Sequence, residues 1–211
     1  MNAIQKSGTN VSNVNVPTLQ EVLTHLGPLP YEAVFMGMAV DGMPLLLNVQ
    51  SMPNILIHNS GNYPLLLLSE VISRKNREDN DYIRVEYIVL TNHPECWEPD
   101  LRIIPFYSEQ IDQTLLALAG WISKGAGGHN SSVLVLVDDI EAVSSLDFDS
   151  KQNFNYVFNR GRKSQVFVVA TCQDYINNSN YSNALHIEHK DGHLLVPEGK
   201  ETLKVLLPRL D

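Results

Sequence analysis

The sequence predicts a three-layer α/β domain with a mainly parallel central sheet, and two segments carry that reading. In Asn54 to Ser73, NILIHNSGNYPLLLLSEVIS, an apolar strand (Ile55-Leu56-Ile57) runs into a polar loop from His58 to Tyr63, and Pro64 opens an apolar helix. Val133 to Val137, VLVLV, is an unbroken apolar run that closes in Asp138-Asp139. A continuous apolar strand suits a parallel strand buried on both faces. Carboxylates at its C-terminal end stand where open α/β sheets place ligands.

The remaining elements follow in chain order. Positions 1–16 read as a disordered tail, rich in Asn, Ser and Gly and poor in bulky apolar residues. Positions 17–29 form an amphipathic helix with Thr18 as N-cap and Glu21 completing a capping box. Its stripe is Leu19, Val22, Leu23 and Leu26, and Gly27-Pro28 stops it. The stripe docks on its own domain or on a neighbouring subunit. The third segment, 30–211, is the main domain. Tyr82 to Thr91 predicts a second sheet strand, and Arg102 to Pro105 a short one. Ser108 caps a long helix ending near Lys124, and the turn from Gly125 to Asn130 precedes VLVLVDD. A further helix gives Phe154, Val157 and Phe158 to the core. Ala184 to Glu188 predicts the last parallel strand, and Gly192 to Val196 with Leu203 to Leu207 a closing hairpin.

Composition narrows the functional classes. Of 211 residues, 44% are hydrophobic and 18% charged, enough apolar mass for one core. The net charge of −9 argues against a face that tracks nucleic-acid phosphates. Arg160, Arg162 and Lys163 remain as a local basic patch. Cys96 and Cys172 lack metal-ligand spacing and read as free thiols of a reducing compartment. With no signal peptide and no apolar run of membrane-spanning length, a cytoplasmic location is expected.

The strand–loop–helix at Asn54 is where a phosphate-binding enzyme carries G-x-x-x-x-G-K-[ST]. The pattern sets Asn59 and Pro64 at the glycines, Leu65 at the lysine and Leu66 at the hydroxyl. Asn54 to Ser73 contains no Lys or Arg, so no shift of register recovers the cation. The lysine neutralises phosphate charge, the hydroxyl holds Mg²⁺ and backbone N–H groups cradle oxygens. Leucine supplies neither charge nor donor, and proline removes an N–H. Tyr63 or Leu65 is expected to turn toward the space of the phosphates, with Leu65 largely buried.

These segments together resemble the motor domain of FtsK/SpoIIIE-type translocases, within the FtsK/HerA group of P-loop ATPases. The resemblance runs from about Pro30 to the end. It rests on Phe35-Met36-Gly37, Asp41-Gly42-Met43-Pro44, Met52 to Ile57, VLVLVDD, Arg160-Gly161-Arg162, and Val166 to Thr171 followed by Gln173. It implies a RecA-like P-loop NTPase fold. The strand before Asp138 would then lie beside the one that feeds the phosphate loop. It also implies a degenerate Walker A loop at Asn59, Ser60, Gly61, Asn62, Tyr63, Pro64, Leu65 and Leu66. Asp138 and Asp139 are Walker B-like, Thr171 and Gln173 sensor-like, and Arg160 and Arg162 candidate interface arginines. Cys172 interrupts the family's Thr-Gln pair, and Thr91-Asn92-His93 replaces a charged element after its strand.

The expectation is a catalytically inactive pseudo-ATPase with no catalytic residue, cofactor or metal, acting as a structural or regulatory module of a DNA translocation-type assembly. The alternatives are an inactive module of a protein secretion-type motor and a weak nucleotide sensor. A protein partner is expected, either an active ATPase subunit or a second copy, with no membrane association. Other clusters keep two readings each. Asp138, Asp139, Glu141, Asp147 and Asp149 form a divalent-ion site or a solvated acidic rim. Arg160 and Arg162 form a subunit-bridging pair or ordinary cations at a helix C-terminus. His186, His189 and His193 share a metal only if a turn separates them.

Overall fold

The computed structural model describes residues 16–30, 32–78, 84–97, 101–125, 131–174 and 179–210. The strands are β1 Ala33–Ala39, β2 Pro44–Asn48, β3 Ile55–His58, β4 Arg84–Thr91, β5 Arg102–Pro105, β6 Ser131–Val137, β7 Val166–Thr171, β8 Leu185–Lys190, β9 His193–Glu198 and β10 Glu201–Leu206. They form one sheet in the order β2-β1-β10-β9-β8-β3-β7-β6-β4-β5. From β8 to β5 all pairings are parallel. From β8 to β2 they are antiparallel. The Gly125–Asn130 turn (beyond Gly125) and the tail (before Val16) lie outside the described residues.

The helices are α1 Leu19–Leu26, α2 Tyr63–Glu78, α3 Gln110–Ser123 and α4 Phe148–Arg160. Strand alternation makes the three layers. Ile55, Ile57, Leu134, Leu136, Phe167 and Val169 enter one core with α1 and α2 residues. Leu56, Val135, Val137, Val166, Val168 and Ala170 enter the other, with α3 and α4 residues. The continuous apolar runs of β6 and β7 are therefore sequences that must satisfy both faces at once.

Local chemistry sets the boundaries. Thr18 and Glu21 make the full capping box at α1. Gln110 N donates to Ser108 Oγ at 3.2 Å at the start of α3. Asp191 and Gly192 both have positive φ, 51° and 76°, as a two-residue hairpin turn between β8 and β9 requires. Helix α1 docks on its own chain. Leu19 is fully buried, and its N–H donates to Arg209 O at 2.7 Å while Arg209 N donates to Pro17 O at 2.9 Å.

One topological expectation is corrected. Strand β6 does not adjoin β3, because β7 lies between them. Inserting β7 moves the Asp138 strand end to about 10 Å from that of β3, two strand spacings away.

Candidate functional site

The strands β3, β7, β6 and β4 end side by side, and most of the predicted residues gather on this edge. The loop after β3 is tied down by backbone bonds. Asn59 adopts a left-handed φ of 54°, the conformation a glycine would supply and one that Asn tolerates. Ser60 is buried; its N–H donates to Cys172 O at 3.0 Å and its hydroxyl to Gly61 O at 3.0 Å. Gly61 is exposed and Asn62 half-buried. Asn62 O accepts from Leu65 N at 2.9 Å and Leu66 N at 3.0 Å, so those donors are spent closing the first turn of α2.

The side chains of that turn face the protein. Leu65 has 0% exposure and belongs to the α2 core, as its burial was expected, while Pro64 is buried and Leu66 half-buried. Tyr63 does not point at phosphate space, contrary to one expectation. Its hydroxyl donates to Pro208 O at 2.7 Å and accepts from Leu210 N at 3.1 Å, pinning the loop to the C-terminal segment. The two bonds satisfy a phenol that would otherwise have to find water.

Behind the loop stands a polar chain that sequence reasoning did not assemble. His58 Nε2 lies 2.8 Å from His186 Nδ1, with the ring planes within 10° and the centroids 5.1 Å apart, the end-to-end geometry of an in-plane hydrogen bond. His186 Nε2 faces Tyr181 O at 3.2 Å. A carbonyl only accepts, so Nε2 of His186 donates to Tyr181 O and Nδ1 accepts a hydrogen bond from the Nε2–H of His58. On the far side, Cys172 Sγ lies 3.3 Å from His58 Nδ1. Burial, reinforced by His186, holds the His58 pKa below the usual histidine value. His186 is thus committed to His58; His189 lies three positions on along the same strand, β8, and so on the opposite face, and His193 begins β9. Only the parallel β3–β8 pairing, Leu56 opposite His186, brings these histidines together.

The two carboxylates that follow β6 differ in burial, Asp138 being buried and Asp139 half-buried. Asp138 is 6% exposed, and its Oδ2 accepts from Thr91 Oγ1 at 2.8 Å. Thr91 Oγ1 in turn accepts from His93 N at 2.9 Å, so the Thr91-Asn92-His93 segment serves the aspartate. Burial raises the Asp138 pKa, against the pull of the Thr91 hydrogen bond. Asp139 has a φ of 70° and caps the following 3₁₀ turn, its Oδ1 accepting from Glu141 N at 3.2 Å. Its own N–H donates to the buried Thr171 Oγ1 at 3.2 Å. Glu141 completes the group. Burial, then the Asp139 carboxyl, pushes its pKa up to about 7, and among the described residues Oε2 is buried without a hydrogen-bond partner. The exposed Gln173 presents its backbone to Glu141.

Thr171, Gln173, Asp138 and Asp139 therefore converge, with Thr91 and Glu141 added by the fold. Among the described residues no group of three or more His, Cys, Asp or Glu side chains has metal-binding geometry. Arg160 and Arg162 belong elsewhere. They are exposed at the C-terminal end of α4 and the turn into β7, at the opposite end of the sheet. Asn54, also unflagged by sequence, is 3% exposed at the start of β3. Its Nδ2 donates to Phe158 O, and its Oδ1 accepts from Val168 N at 2.9 Å.

No known protein family and no curated protein matches this sequence. Solved structures do. Thermomonospora curvata EccC (ATPases 2 and 3), in complex with a signal sequence peptide, aligns at 11% identity and a TM-score of 0.68. The alignment covers 93% of this chain and 44% of that one. The pCW3 conjugation coupling protein TcpA, in monomer form with ATPγS, aligns at 9% identity and a TM-score of 0.67 over 90% of this chain and 68% of that one. EssC (ATPases 2 and 3) from Geobacillus thermodenitrificans aligns at 12% identity and a TM-score of 0.64, over 86% of this chain and 48% of that one. The chain thus spans less than half the length of the EccC and EssC structures. These structural neighbours show that the chain has the fold of an FtsK-type P-loop ATPase domain.

Proposed function

We propose that this chain is a catalytically inactive FtsK-like domain, a structural or regulatory module of a translocation-type assembly. The observation that carries the reading is the start of α2. The residue in the lysine position, Leu65, is fully buried, and Tyr63 is bonded to Pro208 and Leu210. A phosphate loop needs a cation, a metal-binding hydroxyl and free N–H donors there. Removing one preorganised donor typically costs about 2.7–4 kcal/mol at a transition state, and here several are replaced together. Asp138, the residue that would hold Mg²⁺, is buried on Thr91 instead.

The partner under this reading is a protein, either an active ATPase subunit or a second copy. Among the described residues no helix is long and apolar enough to cross a membrane. We place the module in the cytoplasm. The conjugation coupling protein supports a DNA-translocating assembly, and the EccC and EssC domains support a secretion-type motor as the second reading. The test is phosphate release with ATP and Mg²⁺, alongside calorimetry. Neither turnover nor binding heat is expected. Binding without turnover would establish the sensor reading, and phosphate release abolished by Asp138→Ala would overturn the proposal.

A further inference from the structure

We propose that the notch at the N-terminal ends of β3 and β7 is a binding site for a small polyanion of the phosphate class. A cavity of about 480 Å³ opens there, walled by Gln50, Asn159, Arg160, Arg162, Lys163 and Asn183 among others. None of the described residues that line it is acidic. That is notable in a chain with 24 Asp and Glu against 15 Lys and Arg. Three of those cations stand within four consecutive positions on one wall. Arg160 and Lys163 are exposed and, among the described residues, have no ion-pair partner. Arg162 makes a long bond, Nη2 to Ser51 O at 3.3 Å, which leaves most of its five donors available.

The wall is preorganised. A Cβ on Gly161 would lie 2.6 Å from Val166 O, so the turn that carries Arg162 and Lys163 packs directly on the β7 backbone. The floor is equally fixed, because Asn54 bridges Phe158 O and Val168 N. Guanidinium forks carried by that fixed turn match phosphate oxygens in geometry as well as charge. The volume falls within the ~300–1,000 Å³ of small-molecule sites. The six residues of β7 separate the notch from the Asn59–Tyr63 loop and from Asp138, a distance of roughly 20 Å. A ligand held here is therefore independent of the altered phosphate loop.

Isothermal calorimetry at low salt, with pyrophosphate as the probe and no divalent ion, tests the site. Saturable binding with one pyrophosphate per chain is expected. The doubly neutralised Arg160→Gln/Lys163→Gln variant, whose exposed side chains leave folding intact, should bind at least about tenfold more weakly. Lys204→Gln on β10 should stay within about twofold, since a screened distant charge contributes little. The proposal is overturned by non-saturable heats, by equal losses in both variants, or by undiminished binding in the double variant. It is also overturned if an oligoglutamate peptide, and not pyrophosphate, binds in a notch-dependent way, because the notch would then serve a protein partner.

Discussion

Replacing Leu65 with lysine returns a cation to the position where a phosphate loop carries one, and it separates two pictures of the loop. If the loop is an intact cradle missing only its charge, the lysine reaches a wet pocket at little cost. If the first turn of α2 is packed as core, the lysine must enter apolar surroundings. Leu65 is 0% exposed in the cluster that includes Leu68, Val71 and Ile72. Losing its burial forfeits about 1.5–3 kcal/mol. Seating an ammonium without a partner adds more, relieved in part by deprotonation or by the stem threading toward solvent. The expected loss is ~3–5 kcal/mol, at the upper end for single substitutions. At about 2–4 °C per kcal/mol for a chain of this size, melting falls by roughly 6–20 °C. Leu66→Lys, at a half-buried site, should cost about 1.5 kcal/mol or less. Thermal melts of both variants, with phosphate release measured on each, decide the matter. Melting of Leu65→Lys within about 2 °C of the parent, or a gain of Asp138-dependent turnover, would refute the packing argument.

Three further outcomes follow from the polar edge and the base of β3. Asp138→Asn should be neutral to stabilising at neutral pH, because burial disfavours the carboxylate while the amide oxygen still accepts from Thr91; a large drop in melting temperature would make the charge a structural anchor. Glu141 binds its proton more tightly folded than unfolded, so its contribution is fully present below its unfolded value, wanes as pH rises, and is lost above about pH 7. The melting advantage of Glu141→Gln over the parent should therefore grow between pH 5 and pH 8 (roughly the window set by that shift), and a pH-independent difference would contradict the raised pKa of Glu141 beside Asp139. Asn54→Ala should destabilise by ~2–4 kcal/mol in urea titrations, because Phe158 O and Val168 N lose partners in the interior; a shift below about 1 kcal/mol would show that water replaces the amide.

Much of the fold was legible because its strongest signals are local. Val133 to Val137 and Val166 to Ala170 are apolar at every position, and such strands need cover on both faces. Thr18 with Glu21 and Ser108 marked helix starts through side chains that reach only two or three residues. The absence of any cation between Asn54 and Ser73 is a fact of the chain alone. Asp138-Asp139 at a strand end likewise needed no coordinates to stand out.

The contacts between distant segments were decided by tertiary structure. Nothing in the composition of β6 and β7 says which one neighbours β3, since both are equally apolar; sheet order is a choice among similar strands, and it set β7 between them. The expectation was that Tyr63 or Leu65 turns toward the space of the phosphates, and Tyr63 does not. It turned instead to Pro208 and Leu210, which the antiparallel half of the sheet returns beside α2. The His58–His186 pair depends on the parallel register of β3 and β8, and the partner of Asp138 on the register of β4 and β6. Local sequence determines which backbone an element adopts and which of its faces is apolar. A buried hydrogen bond across more than a hundred residues exists only once packing has chosen the neighbours.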